Sequence, residues 1–321
     1  MPEYVLVTTR SFQKLEGEHK NILIEAGFEI VPSGLDRALT AAELAERLPG
    51  MTAVIVGVDD VSAEALKGAD TLKVISMNGI GLDRIDIEAA TRRGIVVTHT
   101  PGTNSDSVAD LTMALILAQI RRISAHDGTV RSGKWQRSMG HELRGLKLGL
   151  VGLGQIGRKV AKRALAFGMN VCAYDPFADA EYCRKHNVEI TDLQTVLTSS
   201  DIVSLHCPAT AETIGIINAN SLASMKPGTV LINTARGDLV DEKALIDALT
   251  SGHIGGAGLD VFETEPPAES PLWKMDQAVL TPHLGGYTHE ATLRTAYQSA
   301  KNVVAVLRGG TADRIVNPEV L

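Results

Sequence analysis

No stretch of this sequence is apolar enough to cross a bilayer. The longest apolar run, LTMALILA at 111–118, falls far short of the ~20 residues a span needs. The chain opens MPEYVLVTTR, without a basic segment leading into an apolar one, so no secretory signal is expected. Cysteine is scarce and odd in number: Cys172, Cys183 and Cys207 are scattered without CxxC spacing, which argues against a disulfide scaffold and a cysteine-based zinc site. No His/Asp/Glu spacing suggests a metal site either. Basic blocks are missing as well. With 31 Lys+Arg against 38 Asp+Glu, a net charge of −7 and a pI of about 5.7, nucleic acid and anionic membrane are poor partners. Repeats, low-complexity tracts and long linkers are also lacking. These absences point to a cytoplasmic globular protein.

What is present is ordinary globular composition: 321 residues, 44% hydrophobic and 21% charged, enough for two domains. Short β-like runs alternate with helical stretches. YVLVTT (4–9), FEIVPS, AVIVG (53–57), LKVISM (72–77) and IVVTHT (95–100) read as strands. FQKLEGEHKNILIEAG reads as one helical stretch, and AAELAERL as a helix capped by Thr40. After Pro101-Gly102-Thr103-Asn104-Ser105, a long apolar helical stretch with a capping serine runs toward Gly133. A second β/α series follows through KLGLV (147–151), NVCAY (170–174), DIVSLH (201–206), TVLINTA (229–235), AGLDVF (257–262) and AVLTPH (278–283). A last helix spans about 288–307. The pattern predicts parallel α/β sheets.

Gly152-Leu153-Gly154-Gln155-Ile156-Gly157 fits GxGxxG between a strand and a helix. The glycines permit a tight turn and close approach of a pyrophosphate, and the helix N-terminus offers free amides to its charge. Asp175, 18 residues beyond Gly157, ends the next strand, where a carboxylate can accept from the ribose hydroxyls of NAD and repel the 2′-phosphate of NADP. NAD is the expected cofactor. Three later strands end in Arg236, in Asp260 with Glu265 close behind, and in His283. Ligands bind beyond the carboxyl ends of strands in such sheets, so these side chains are expected in one crevice.

Through VGLGQIG, HCPATAETIGIIN, MKPGTVLINTARGDLVDEKAL, GAGLDVFETEPP and TPHLGG, five motifs in order, the chain resembles the D-isomer-specific 2-hydroxyacid dehydrogenases along essentially its whole length. GKWQRSMGHELRG is most similar to the phosphoglycerate dehydrogenase branch. The resemblance implies two doubly wound parallel-sheet α/β domains with a cleft between them: a Rossmann-type NAD domain at 101–286 and a smaller flavodoxin-like substrate domain at 1–100 and 287–321. The two crossing helices would act as hinges. It implies that Arg236 binds the substrate carboxylate, that His283 is the acid/base, and that Glu265 supports the imidazolium. Asp260 would hold the nicotinamide carboxamide. Cys207 and Pro208, with His206, would wall the adenine pocket, and Thr234, Ala235 and Gly286 would complete the cofactor contacts.

In the first domain, Asn78-Gly79-Ile80-Gly81 matches the family's glycine-containing loop, whose amides, chiefly at Ile80 and Gly81, would grip the substrate carboxylate. The branch often carries Arg-Ser after the strand matching AVIV, to bind a phosphate. Here Gly57-Val58-Asp59-Asp60 stands instead, and an aspartate pair repels phosphate. The expected substrate is a small polar 2-keto or 2-hydroxy acid of hydroxypyruvate, glyoxylate or phosphohydroxypyruvate type. With the chain ending at Leu321, a C-terminal regulatory domain with serine inhibition is not expected. The helix near 106–122 and the arm through Trp135 resemble a dimer contact, so a homodimer is expected. His141 in that arm is either structural or reaches a neighbouring subunit's site. His19, His126, His186 and His253 read as solvated. The rival reading is an NAD(H)-sensing binding protein, like the family's transcriptional corepressors.

Overall fold

The structure is a computed structural model that describes residues 2–267, 269–310 and 312–321. The chain separates into two compact units, residues 1–104 with 288–321 and residues 105–287. The first contains β1 (Glu3–Val7), α1 (Arg10–Lys14), α2 (Glu18–Glu25), β2 (Phe28–Pro32), α3 (Ala41–Arg47), β3 (Met51–Val56), β4 (Val74–Met77), α4 (Ile87–Arg92) and β5 (Val96–Thr98). The second contains α5 (Ser105–Ile120), α6 (Ile123–Arg131), β6 (Lys147–Val151), α7 (Gln155–Ala166), β7 (Asn170–Tyr174), α8 (Ala180–His186), β8 (Glu189–Ile190), α9 (Leu193–Ser199), β9 (Ile202–Leu205), α10 (Ala219–Ser224), β10 (Thr229–Asn233), α11 (Glu242–Thr250), β11 (Ile254–Leu259) and β12 (Ala278–Leu280). Helix α12 (His289–Leu307) belongs to the first unit.

Both sheets are wholly parallel. The first runs β2-β1-β3-β4-β5 and the second β12-β11-β10-β9-β6-β7-β8. Parallel strands are covered on both faces, which explains their near-continuous apolar runs. In β1, Val5 and Val7 pack with Phe12, Ala296, Ala300 and Val303 on one face, while Leu6 joins Val54 and Ile75 on the other. In α7, Gly157, Val160, Ala161 and Ala164 are buried at helical spacing. Strand order reverses between β1 and β3 in one sheet and between β6 and β9 in the other, and such reversals open the crevices where ligands bind.

Three local expectations are corrected. The stretch 12–27 is two helices, broken around Gly17, whose φ of 153° lies outside helical space. The apolar stretch after Ser105 is also two helices, separated where Arg122 takes a left-handed φ of 53°. Ser105 lies inside the first turn of α5, and its buried hydroxyl has no hydrogen-bond partner among the described residues, so it is no cap. By contrast, Thr40 forms a full capping box with Glu43. No helix among the described residues is long and apolar enough to cross a membrane.

Candidate active site

The glycine-rich loop turns from β6 into α7 at the second unit's reversal point. Gly152 has φ 101°, and a Cβ there would stand 2.7 Å from the backbone of His206 and Cys207, so the loop lies directly against the end of β9. A Cβ on Gly157 would collide with the Gly152 carbonyl oxygen. Gly154 differs: it opens α7 without a side-chain cap, and a Cβ there would meet nothing within 4 Å. The loop is thus packed tightly beneath and clear above, with the first-turn amides of Gln155, Ile156 and Gly157 available to an anion. This cradle fits a dinucleotide pyrophosphate.

Asp175 sits at the end of β7, its Oδ2 accepting from Leu153 N at 2.7 Å and its Oδ1 from Phe177 N at 2.8 Å. A carboxylate has about four acceptor positions, so room remains for ribose hydroxyls. Beyond β9, His206 binds Ser204 through Nε2 at 2.9 Å, while its buried Nδ1 has no partner among the described residues. Burial drops its pKa to about 3, so the ring is neutral. Burial likewise pushes the neighbouring Cys207 thiol up to about 11, which makes it a wall residue rather than a nucleophile. Pro208 follows, its carbonyl accepting from Thr213 Oγ1 at 2.6 Å.

Strands β10, β11 and β12 are neighbours, and the loops beyond them carry the polar cluster. His283 Nδ1 lies 2.7 Å from Glu265 Oε2, and Glu265 Oε1 accepts from Phe262 N at 3.2 Å. The hydrogen bond to Glu265 raises the His283 pKa above its ordinary value, against the pull of burial, and the charges of Glu265 and Asp260 add to the rise. Burial pushes Glu265 upward, yet the hydrogen bond and charge of His283 hold its carboxyl below the usual range. The positive charge of Arg236 lowers the pKa of both groups.

Arg236 is aimed by a turn in which Asn233 accepts from Ala235 N at 3.0 Å and donates to the Arg236 carbonyl at 2.7 Å. The next residue must be glycine, because a Cβ on Gly237 would collide with the Phe262 carbonyl. The Arg236 turn therefore packs directly on the loop that carries Glu265. Thr234 is buried and shares a 2.9 Å hydrogen bond with Thr112. Buried Asp260 has three acceptor positions engaged: Oδ1 with Thr281 Oγ1 at 2.5 Å and Leu284 N at 2.7 Å, and Oδ2 with Gly285 N at 2.8 Å. Its backbone carbonyl accepts from His283 N at 2.9 Å. Asp260 thus holds the turn in which His283 adopts φ 52°, with one acceptor position left over. Gly286 lies in the turn closed by Tyr287 N to Leu284 O at 2.8 Å. Asn233, whose side chain holds the Arg236 turn, is a further site residue, and its one signal in the sequence is a polar side chain ending a fully buried apolar strand.

In the first unit, Asn78, Gly79, Ile80 and Gly81 follow β4, beside the residues that follow β5. Asn78 N donates to Val56 O at 2.8 Å, and its side-chain oxygen accepts from Ser299 at 3.0 Å. Asp59 is not a surface charge: it is 2% exposed and accepts from Thr8 Oγ1 at 2.5 Å, Leu39 N at 2.8 Å and Gly57 N at 3.0 Å. His19 corrects the expectation of a solvated ring. It is 1% exposed, edge-on to Phe12 at 4.6 Å and bonded to the Phe12 carbonyl at 3.1 Å. Among the described residues, no group of three or more His, Cys, Asp or Glu could hold a metal ion.

The family description "D-isomer specific 2-hydroxyacid dehydrogenase, NAD binding domain" matches residues 113–285. Glyoxylate reductase of Thermococcus litoralis is 43% identical over 309 residues, covering 93% of each chain. D-3-phosphoglycerate dehydrogenase of Archaeoglobus fulgidus is 43% identical over 296 residues, which are 91% of this chain but 55% of that one. This chain therefore spans about half the length of that phosphoglycerate dehydrogenase and nearly all of the glyoxylate reductase. The crystal structure of the TT0316 protein from Thermus thermophilus superposes with a TM-score of 0.89 at 42% identity, covering 98% of this chain and 99% of that one. The glycine cradle, the carboxylate beyond β7 and these matches converge on NAD as the cofactor, and the chain belongs to the D-isomer-specific 2-hydroxyacid dehydrogenases.

Proposed function

We propose that the protein transfers a hydride between NAD(H) and a small polar D-2-hydroxy acid or its 2-keto acid. The observation that carries this reading is the 2.7 Å contact of Glu265 with His283 beside Arg236, on three neighbouring strand ends of the NAD-binding unit. Bound NADH supplies the hydride. His283, whose protonated form Glu265 favours, gives its proton to the carbonyl oxygen in reduction and, when neutral, removes it in oxidation. Arg236 binds the substrate carboxylate with its planar fork and polarises the carbonyl. Asp260 keeps His283 in place and offers its remaining acceptor position to the cofactor's carboxamide. The amides of Ile80 and Gly81 in the first unit serve the substrate carboxylate.

Glyoxylate and hydroxypyruvate are favoured over phosphohydroxypyruvate. The segment Gly57–Asp60 offers no cation, and Asp59 is committed to bonds within the fold rather than to a ligand. The protein also works as a homodimer, for which Trp135 and Met139, 82% and 95% exposed, supply contact surface. Initial rates of NADH oxidation with glyoxylate, hydroxypyruvate, phosphohydroxypyruvate, pyruvate and a branched-chain keto acid test the assignment. The first two are expected to give the highest kcat/KM. NADH binding without turnover of any of them would favour the sensor reading.

A further inference from the structure

We infer that His99 and Thr100, just beyond β5, are positioning residues that aim the amides of Ile80 and Gly81 at the substrate carboxylate. This rests on the assignment of those amides proposed above. The carbonyl of Gly79 accepts from both Thr100 N at 2.9 Å and Thr100 Oγ1 at 3.0 Å, and the carbonyl of Ile80 accepts from His99 Nδ1 at 3.2 Å. A trans peptide is planar, so each N–H points opposite to the preceding carbonyl. Holding carbonyls 79 and 80 on the β5 side therefore turns the N–H groups of Ile80 and Gly81 to the opposite side, as a pair. Neither amide donates to a backbone acceptor among the described residues. Two such adjacent amides form a concavity for an anion.

The supports are themselves held. Thr100 is fully buried, and the His99 carbonyl accepts from buried Asn302 at 3.2 Å. Because a carbonyl only accepts, His99 must carry its proton on Nδ1. The geometry thus sets the tautomer of His99 and gives the ring a donor's task that a hydrocarbon cannot perform.

The test compares His99→Leu, His99→Asn and Thr100→Val with the parent enzyme, using glyoxylate kinetics with NADH and calorimetric titration of oxalate, a non-reacting carboxylate. Asparagine places an amide donor where Nδ1 stands, whereas leucine places a methyl there. In His99→Leu, the KM for glyoxylate and the oxalate Kd should rise about 3- to 10-fold, as expected for one lost hydrogen bond. Changes in kcat, NADH affinity and melting temperature should be small by comparison. His99→Asn should recover most of the loss, and Thr100→Val should show the same pattern more weakly, also covering the case that His99→Leu fails to fold. Unchanged KM and Kd in His99→Leu, or equal losses in the Leu and Asn variants, overturn the inference. Absence of keto-acid turnover by the parent overturns the broader assignment instead, and the oxalate titration then judges the positioning role separately.

Discussion

The contact between Glu265 and His283 couples two protonation states, and its sign can be followed into the pH profile. The His283 pKa is raised above the ordinary 6.5 by the Glu265 hydrogen bond, so the imidazolium persists above that pH and is lost as pH rises through the raised value. Keto-acid reduction needs the imidazolium. Its kcat/KM should fall on a basic limb whose midpoint lies above 6.5, while hydroxy-acid oxidation rises over the same interval. Glu265→Gln should move that limb toward lower pH. His283→Ala should cost about 10²- to 10⁴-fold in kcat with NADH affinity preserved. A limb unmoved in Glu265→Gln would show that the carboxylate does not tune the imidazole. Asp175→Ala should weaken NADH binding by about tenfold, the scale of a charge-assisted hydrogen bond, and narrow the preference against NADPH. Titration of both cofactors checks this; an unchanged ratio would mean that Asp175 only secures Leu153 and Phe177. The residues in both predictions were readable from the sequence, because each sits in a motif at a strand end. His99 was not, because its task depends on a carbonyl 19 residues away across two parallel strands. Burial of His19 was equally hidden, since one ring on a short polar helix carries no periodic signal.

At the level of elements, strands were easier to read than helix breaks. Runs such as KLGLV and NVCAY coincide with β6 and β7 because β-branched and apolar residues buried on both faces leave little choice. The break at Arg122 had no glycine or proline to announce it. The edge of the first sheet shows another feature without a local signature. Asn317 accepts from Val97 N at 2.7 Å and donates to Ile95 O and Thr91 Oγ1 at 2.9 Å, fastening the C-terminal segment to β5. It is 1% exposed, so Asn317→Ala would strand buried backbone groups. The expected loss is roughly 1–3 kcal/mol in unfolding stability by denaturant titration, with NADH affinity unaffected. A loss below about 0.5 kcal/mol would mean that the tail holds by its backbone bonds to β5 and its apolar contacts without Asn317.

At the scale of the whole molecule, exposed Ile123, Val130, Trp135 and Met139 form an apolar series along α6 and the segment after it. Sedimentation should give a mass about twice the 34.1 kDa chain mass, reduced to that of one chain in the double variant Trp135→Arg, Met139→Glu. A single-chain mass for the parent would remove the homodimer from the proposal. The family and its two-sheet architecture were legible from motif order and strand alternation. The inward commitment of Asp59 was not, because one-dimensional charge patterning does not tell a buried acid from a solvated one.

The first unit is assembled from two separated stretches of the chain, and this has a consequence for the order of events at the ribosome. Residues 105–287 are contiguous and can close their core as soon as they have emerged. The first sheet emerges earlier but must wait: the face formed by Val5, Val7, Ala53, Ile55 and Val74 is covered by Ala296, Ala300 and Val303 of α12, which are made only after the whole second unit. Throughout synthesis of that intervening unit, Phe12 and Leu23 of α1 and α2 are the helical cover this face has, and the part that α12 covers stays exposed. A chain released shortly before α12 would therefore be an aggregation hazard despite holding every residue of the NAD-binding unit.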